Sequence, residues 1–178
     1  MSLETLQYPV GRFVRPANVT EALLKAYISD ISTFPERLSA AVQSLSDEQL
    51  DTAYRPGGWT VRQVVNHCAD SHMNAMIRLK LALTEDQPTI KPYDQDSWAA
   101  LPDSLHMPVG PALQMLEGIH ARWTMLLRNM STEDFSRTFV HPEYGTVYRL
   151  DENTGLYAWH CNHHLGHITA LIKAKNWN

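Results

Sequence analysis

Apolar residues recur three and four positions apart in four separate stretches of this chain. That repeat favours an all-α architecture as the way to bury them. The first stretch is Leu23, Tyr27, Ile31, Phe34, Leu38, Val42 and Leu45, preceded by Thr20, whose hydroxyl suits a helix N-cap. Pro35 falls inside it and predicts a kink or two helices in sequence. The second stretch opens at Thr60-Val61-Arg62-Gln63, which has the form of a capping box, and predicts a helix from about Val61 to about Leu83. The third carries Leu113, Leu116, Ile119, Trp123, Leu126, Leu127 and Met130. The fourth opens near Asp151 or Thr154 and runs to about Ala174.

The connections refine that picture. Residues 1–18 hold Pro9, Gly11 and Pro16 and read as an irregular arm. Ser46-Asp47-Glu48-Gln49 predicts a short extra turn, and Gly57-Gly58 breaks the chain. Residues 84–111 contain Pro88, Pro92, Pro102, Pro108 and Pro111 and read as a long crossover. Thr138–His141 and Thr146–Leu150 flank Pro142-Glu143-Tyr144-Gly145, the pattern of a small β-hairpin. The expectation is a four-helix bundle with long crossover loops and a hairpin before the last helix, one domain over residues 1–178.

Composition narrows the partners. The 15 Lys+Arg against 19 Asp+Glu leave a net charge of −4, which argues against a nucleic-acid partner held by phosphate neutralisation. No stretch approaches the roughly 20 apolar residues of a membrane span, so no membrane partner is expected. The N-terminus has no apolar signal core, and two cysteines cannot build a disulfide framework; both suit a cytoplasmic protein. Cys68 and Cys161 read as small packing residues. Nucleotide-binding glycine loops, the G-x-S-x-G elbow and Cys-x-x-Cys are all absent.

Nine histidines remain, four of them within residues 160–167. They form two overlapping H-x-x-x-H pairs, His160/His164 and His163/His167. Residues four apart share a helix face and can aim two imidazoles at one ion. With His160 at zero, about 100° per residue places Tyr157, Cys161, His164, Ile168, Leu171 and Ile172 on the core side. His163 and His167 fall on the flank, as rim residues. A catalytic zinc needs a third protein ligand, and the helix after Thr60 offers His67. Ser71, Asn74 and Arg78 lie within roughly 40° of His67, a polar row on an inward face and the candidate substrate-binding residues. His72 points about 140° away and is a poor partner for the same site. His120 and His141 have no visible partner and read as surface or local packing residues. Asp70 and Glu152 are candidate general bases by proximity in sequence alone.

The run Gly57 to His67, then Ala69-Asp70-Ser71-His72-Met73-Asn74, Arg78, Pro92-Tyr93, the segment Leu156 to His167 and the opening Tyr8-Pro9-Val10-Gly11 resemble DinB-like proteins. Within them the closest resemblance is to the YfiT group, named as metal-dependent hydrolases. It covers nearly the whole chain. The resemblance implies a four-helix bundle, a homodimer and one divalent ion per subunit, zinc or nickel, with the ligand histidines falling on His67, His160 and His164. Some relatives in this group are S-transferases that use bacillithiol or mycothiol.

Three neutral imidazoles leave a divalent ion its full charge and open positions, so a bound water or thiol is acidified. Three readings follow. A hydrolase would activate water against a small-molecule electrophile. A transferase would activate a low-molecular-weight thiol, with Arg78 and Asn74 orienting its polar groups. A non-catalytic, metal-stabilised dimer would close the coordination sphere with protein ligands alone.

Overall fold

The computed structural model describes residues 2–143 and 145–177; Tyr144 of the expected hairpin turn lies outside them. Four long helices dominate: α2 (Glu21–Val42), α4 (Val61–Thr84), α7 (Gly110–Asn129) and α9 (Leu150–Lys175). Between them come α1 (Leu3–Gln7), α3 (Asp47–Leu50), α5 (Gln95–Ala99), α6 (Pro102–His106) and α8 (Thr132–Ser136). Strands β1 (Thr138–His141) and β2 (Thr146–Arg149) pair antiparallel, with Phe139 opposite Tyr148, and lead directly into α9.

Local chemistry accounts for the starts. The Thr20 hydroxyl accepts from Leu23 N–H at 3.2 Å and opens α2. Thr60 and Gln63 close a reciprocal capping box at α4, and Ser46 and Gln49 close another at α3. The α2 helix runs through Pro35 as one element, so of the two expectations that of two helices in sequence is not met. The ring removes one N–H and leaves the Ile31 carbonyl without its intrahelical donor.

The helices arrange themselves in a way that periodicity does not specify. The α2 helix packs on α7 and α9, and α4 packs on the same two, so α2 and α4 occupy opposite corners. The proline-rich connection at residues 85–109 therefore joins neighbours. The diagonal crossings are made by residues 43–60 and 130–149. Residues 85–109 instead run back along α4, with the Lys91 carbonyl at Arg78, the Ala99 carbonyl at Gln63 and the Met107 carbonyl at Arg62, and are held to β1 by Ile90 N–H to Val140 O at 3.0 Å and Val140 N–H to Pro88 O at 2.9 Å. One continuous core joins Ile31, Phe34 and Leu38 of α2 to Val64 and Ala75 of α4, Leu116 and Trp123 of α7, and Cys161 and Ile168 of α9. The α2 and α9 helices approach closely at Gly155, where a Cβ would come within 2.7 Å of the Tyr27 ring.

Arg62 ties the second connection down. Its guanidinium is buried and donates to Asp51 at 2.6 Å, to Asp47 at 2.9 Å and to the Met107 carbonyl at 3.0 Å. Both cysteines are free and fully buried in the core, in keeping with a packing role. No helix among the described residues is long and apolar enough to cross a membrane.

Candidate metal centre

The capping box at Thr60 opens α4, and two turns further on His67 faces α9. There it meets His160 and His164, one turn apart on α9. The three rings offer one nitrogen each within 4.8 Å of one another, a group that could hold a metal ion. The Nε2 atoms of His67 and His160 face each other at 3.3 Å. Two ligand nitrogens at the usual 2.0–2.1 Å from a tetrahedral zinc stand about 3.3–3.4 Å apart, so the pair fits one cation. His164 Nδ1 is buried with no hydrogen-bond partner among the described residues, an orphaned nitrogen of the kind a ligand satisfies.

Electrostatics favour the same use. Burial, followed by the nearby His167, pushes His67 down to about 4. Burial also holds His160 and His164 well below the ordinary imidazole range, and their neighbouring rings add to it. All three rings are thus neutral near pH 7, with lone pairs available. The Gly57-Gly58 turn, which needs Gly57 at φ 67°, delivers Trp59 over them. The Trp59 ring lies 4.6 Å from that of His67 and 6.5 Å from that of His164.

Two other histidine groups lie nearby. His163 and His167 join His164 in a second possible triad. They line the same cavity as His164, as the rim position expected for them implies, yet both are buried. The N-terminal arm covers that side of α9, with the Gln7 carbonyl accepting from His167 Nε2 at 3.0 Å. Trp159 stacks on His163 at 4.4 Å and Tyr54 on His167 at 4.0 Å. A wheel drawn on one helix contains no information about an arm 150 residues away. Burial pushes His163 down to about 3, with His167 and His67 adding to it.

The third group is His72, His120 and Cys161. His72 does not share the His67 site, as its direction predicts, but it stands directly behind it, with Nε2 3.0 Å from His160 Nδ1. His72 Nδ1 lies 2.7 Å from His120 Nε2, and His120 Nδ1 lies 2.6 Å from the Ile31 carbonyl. Of the two expectations for His120, surface or local packing, the structure supports packing: it is fully buried, and it has the partners that the sequence did not show. All four ring nitrogens of His72 and His120 are engaged, and burial keeps the Cys161 thiol protonated, so this group has no lone pair to offer.

Two cavities meet at the histidines. One, of about 460 Å³, is lined by Gln7, Tyr8, Trp59, His67, His164 and His167 among others. The second, of about 580 Å³, is lined by Ser71, Arg78, Tyr93, His141, Tyr148 and Tyr157 among others. His160 and Gln95 line both. Ser71 and Arg78 are thus brought to the site; Asn74 is not, its amide turning back to the Asp70 carbonyl at 2.9 Å. Arg78 donates to the Lys91 carbonyl at 3.3 Å, while its buried Nε has no acceptor among the described residues. His141, expected as a surface or local packing residue, is half-buried on this wall.

The candidate bases fare differently. The Asp70 carboxyl is half-buried and pushed up to about 6 by burial, with Asp103 of α6 adding to it, but it lines neither cavity. Glu152 is bound to Arg15 and to the Arg149 N–H, so it caps α9 and pins the arm. Sequence reasoning missed Trp59, Tyr93, Trp159 and the arm residues Gln7 and Tyr8. The signal for Trp59 was its place between a glycine turn and a helix cap, and that for the arm was the Tyr8-Pro9-Val10-Gly11 opening that carries the family resemblance.

Comparison with known proteins agrees with this geometry. Residues 31–168 match the DinB superfamily. An Oceanobacillus iheyensis protein named "putative metal-dependent hydrolase" is 50% identical over 171 residues, covering 96% of this chain and 98% of its own. A Bacillus cereus protein of the same name is 51% identical over 175 residues, covering 98% and 100%. The structure of YfiT from Bacillus subtilis, described as "a probable metal-dependent hydrolase with an unusual four-helix bundle topology", superposes with a TM-score of 0.96 at 43% identity, covering 98% of this chain and 99% of that one. With its site-bearing helices inside the matched span and relatives aligned nearly end to end, the chain belongs to the DinB superfamily.

Proposed function

We propose that the chain is a metal-dependent hydrolase in which His67, His160 and His164 hold one divalent cation against a small-molecule substrate. The observation that carries this is the facing pair of Nε2 atoms, 3.3 Å apart, completed by His164 at the junction of two cavities. Three neutral imidazoles suit Zn²⁺ first and Ni²⁺ as the alternative. The relatives' names support metal dependence and hydrolysis as a class. A cation held there supplies the Lewis acidity that draws a proton from water or a thiol at neutral pH.

The chain's own residues supply the rest. Arg78 presents a guanidinium edge to the second cavity, where it binds an anionic substrate group or the charge that develops during reaction. Tyr157 and Tyr93 are held as neutral phenols by burial and wall that cavity with hydrogen-bond donors. Trp59 and Tyr54 narrow the first cavity and limit water.

The two cavities meeting at His160 favour a second reading, a thiol S-transferase, because two separate substrates could approach one cation. Zn²⁺-loaded protein incubated with monochlorobimane, with and without bacillithiol, and with a panel of esters and amides, separates the two. Turnover that requires the thiol rejects the hydrolase; thiol-independent cleavage of an ester or amide rejects the transferase. Absence of both, with bound metal, rejects an enzyme of either kind.

A further inference from the structure

The hydrogen bonds behind His160 have a direction, and it originates on a helix that contributes no ligand. A carbonyl oxygen can only accept, so the 2.6 Å contact requires a proton on His120 Nδ1. A neutral imidazole carries one ring proton, which makes His120 Nε2 an acceptor and places the proton of the next contact, 2.7 Å, on His72 Nδ1. The same rule makes His72 Nε2 the acceptor at 3.0 Å and puts the proton on His160 Nδ1. His160 Nε2 is then left unprotonated, and it is the atom that faces His67.

The carbonyl is available because of Pro35. In an uninterrupted helix the N–H of residue 35 would bond to the Ile31 carbonyl; proline has none. The rings cannot turn to escape the pattern. Phe34 lies 5.2 Å from the His72 ring and 5.5 Å from the His120 ring, Trp123 lies 5.9 and 5.6 Å from the same two, and both histidines are fully buried.

We propose that the Ile31 carbonyl freed by Pro35, acting through His120 and His72, fixes the tautomer of His160 so that its Nε2 is presented to the cation. His120 and His72 are positioning residues in this scheme, and Pro35 is the origin of the device. The proposal rests on the metal site proposed above. A ligand histidine whose other nitrogen is hydrogen-bonded is better oriented and more basic, and losing such a partner typically weakens metal affinity about 10–100-fold.

The test combines two measurements. Nitrogen-15 NMR of the metal-free protein is expected to find His120, His72 and His160 all protonated at Nδ1. In calorimetric titration with Zn²⁺, His120→Phe is expected to bind about 10–100-fold more weakly. His120→Gln is expected to recover most of the loss, because an amide can donate to the carbonyl and accept from His72. A proton on His160 Nε2 in the metal-free protein overturns the proposal even if His120→Phe fails to fold. So does a folded His120→Phe with unchanged Zn²⁺ affinity. Wild-type protein that binds no Zn²⁺ rejects the metal site itself, and the tautomers then still decide whether the relay exists.

Discussion

Two histidine clusters lie side by side in this bundle, one fully buried and one lining two cavities, with opposite hydrogen bonding. His72 and His120 have every ring nitrogen engaged. His67, His160 and His164 bring nitrogens within 4.8 Å of one another, and the buried His164 Nδ1 has no hydrogen-bond partner among the described residues. Buried imidazoles are therefore not equivalent markers of a metal site. What separates the clusters is where the lone pairs end: in the first they are consumed by neighbouring N–H groups, in the second they converge. The first cluster is also the support of the second, through His72 and His160.

Removing a ligand should break the contrast most sharply. His164→Ala is expected to lose stoichiometric cation binding, while His163→Ala keeps one ion per chain; metal content after dialysis measures both. Equal loss in the two variants would transfer the site to the triad of His163, His164 and His167. Phe34→Ala attacks the saturated cluster through its packing. It should cost about 3–5 kcal/mol of stability by denaturant unfolding, yet leave cation stoichiometry intact.

Acid should sharpen the comparison next. His67 and His120, each brought down to about 4 mainly by burial, are harder to protonate folded than in the unfolded chain, where the ordinary value is about 6.5. Unfolding therefore takes up protons, and stability is full above about pH 6.5 and lost as pH falls toward 4. Each ring withdraws up to about 3 kcal/mol over that window. Thermal unfolding between pH 7 and 4.5 should follow this fall, and saturating Zn²⁺ should displace it to lower pH, because cation and proton compete for His67. An equal fall with and without Zn²⁺ would remove His67 from the ligand set. The smallest effect is expected from Thr60→Ala, which should cost about 1 kcal/mol in chemical unfolding through loss of the cap. Cation stoichiometry should not change, since packing on α7 and α9 keeps α4 in phase.

Much of the frame was legible beforehand because it is local. Helix repeats, the caps at Thr20 and Thr60, and the hairpin all depend on residues within a few positions of each other. The wheel on α9 put His160 and His164 on one face, and the polar row singled out His67, Ser71 and Arg78 for the same reason. It misjudged Asn74, whose amide prefers a carbonyl of its own helix one turn back. It placed His163 and His167 on the flank but not under cover, because the arm that buries them enters from the far end of the chain.

By itself, then, the sequence determined the helices, their caps and which faces carry imidazoles, since each follows from spacing along one element. Only the tertiary structure decided that α2 and α4 stand diagonally, that residues 85–109 run back along α4 past the site, and that His120 of α7 reaches a carbonyl of α2 released by Pro35. Those features depend on which surfaces meet. A hydrogen bond between groups 89 positions apart exists only once packing has brought their two helices together.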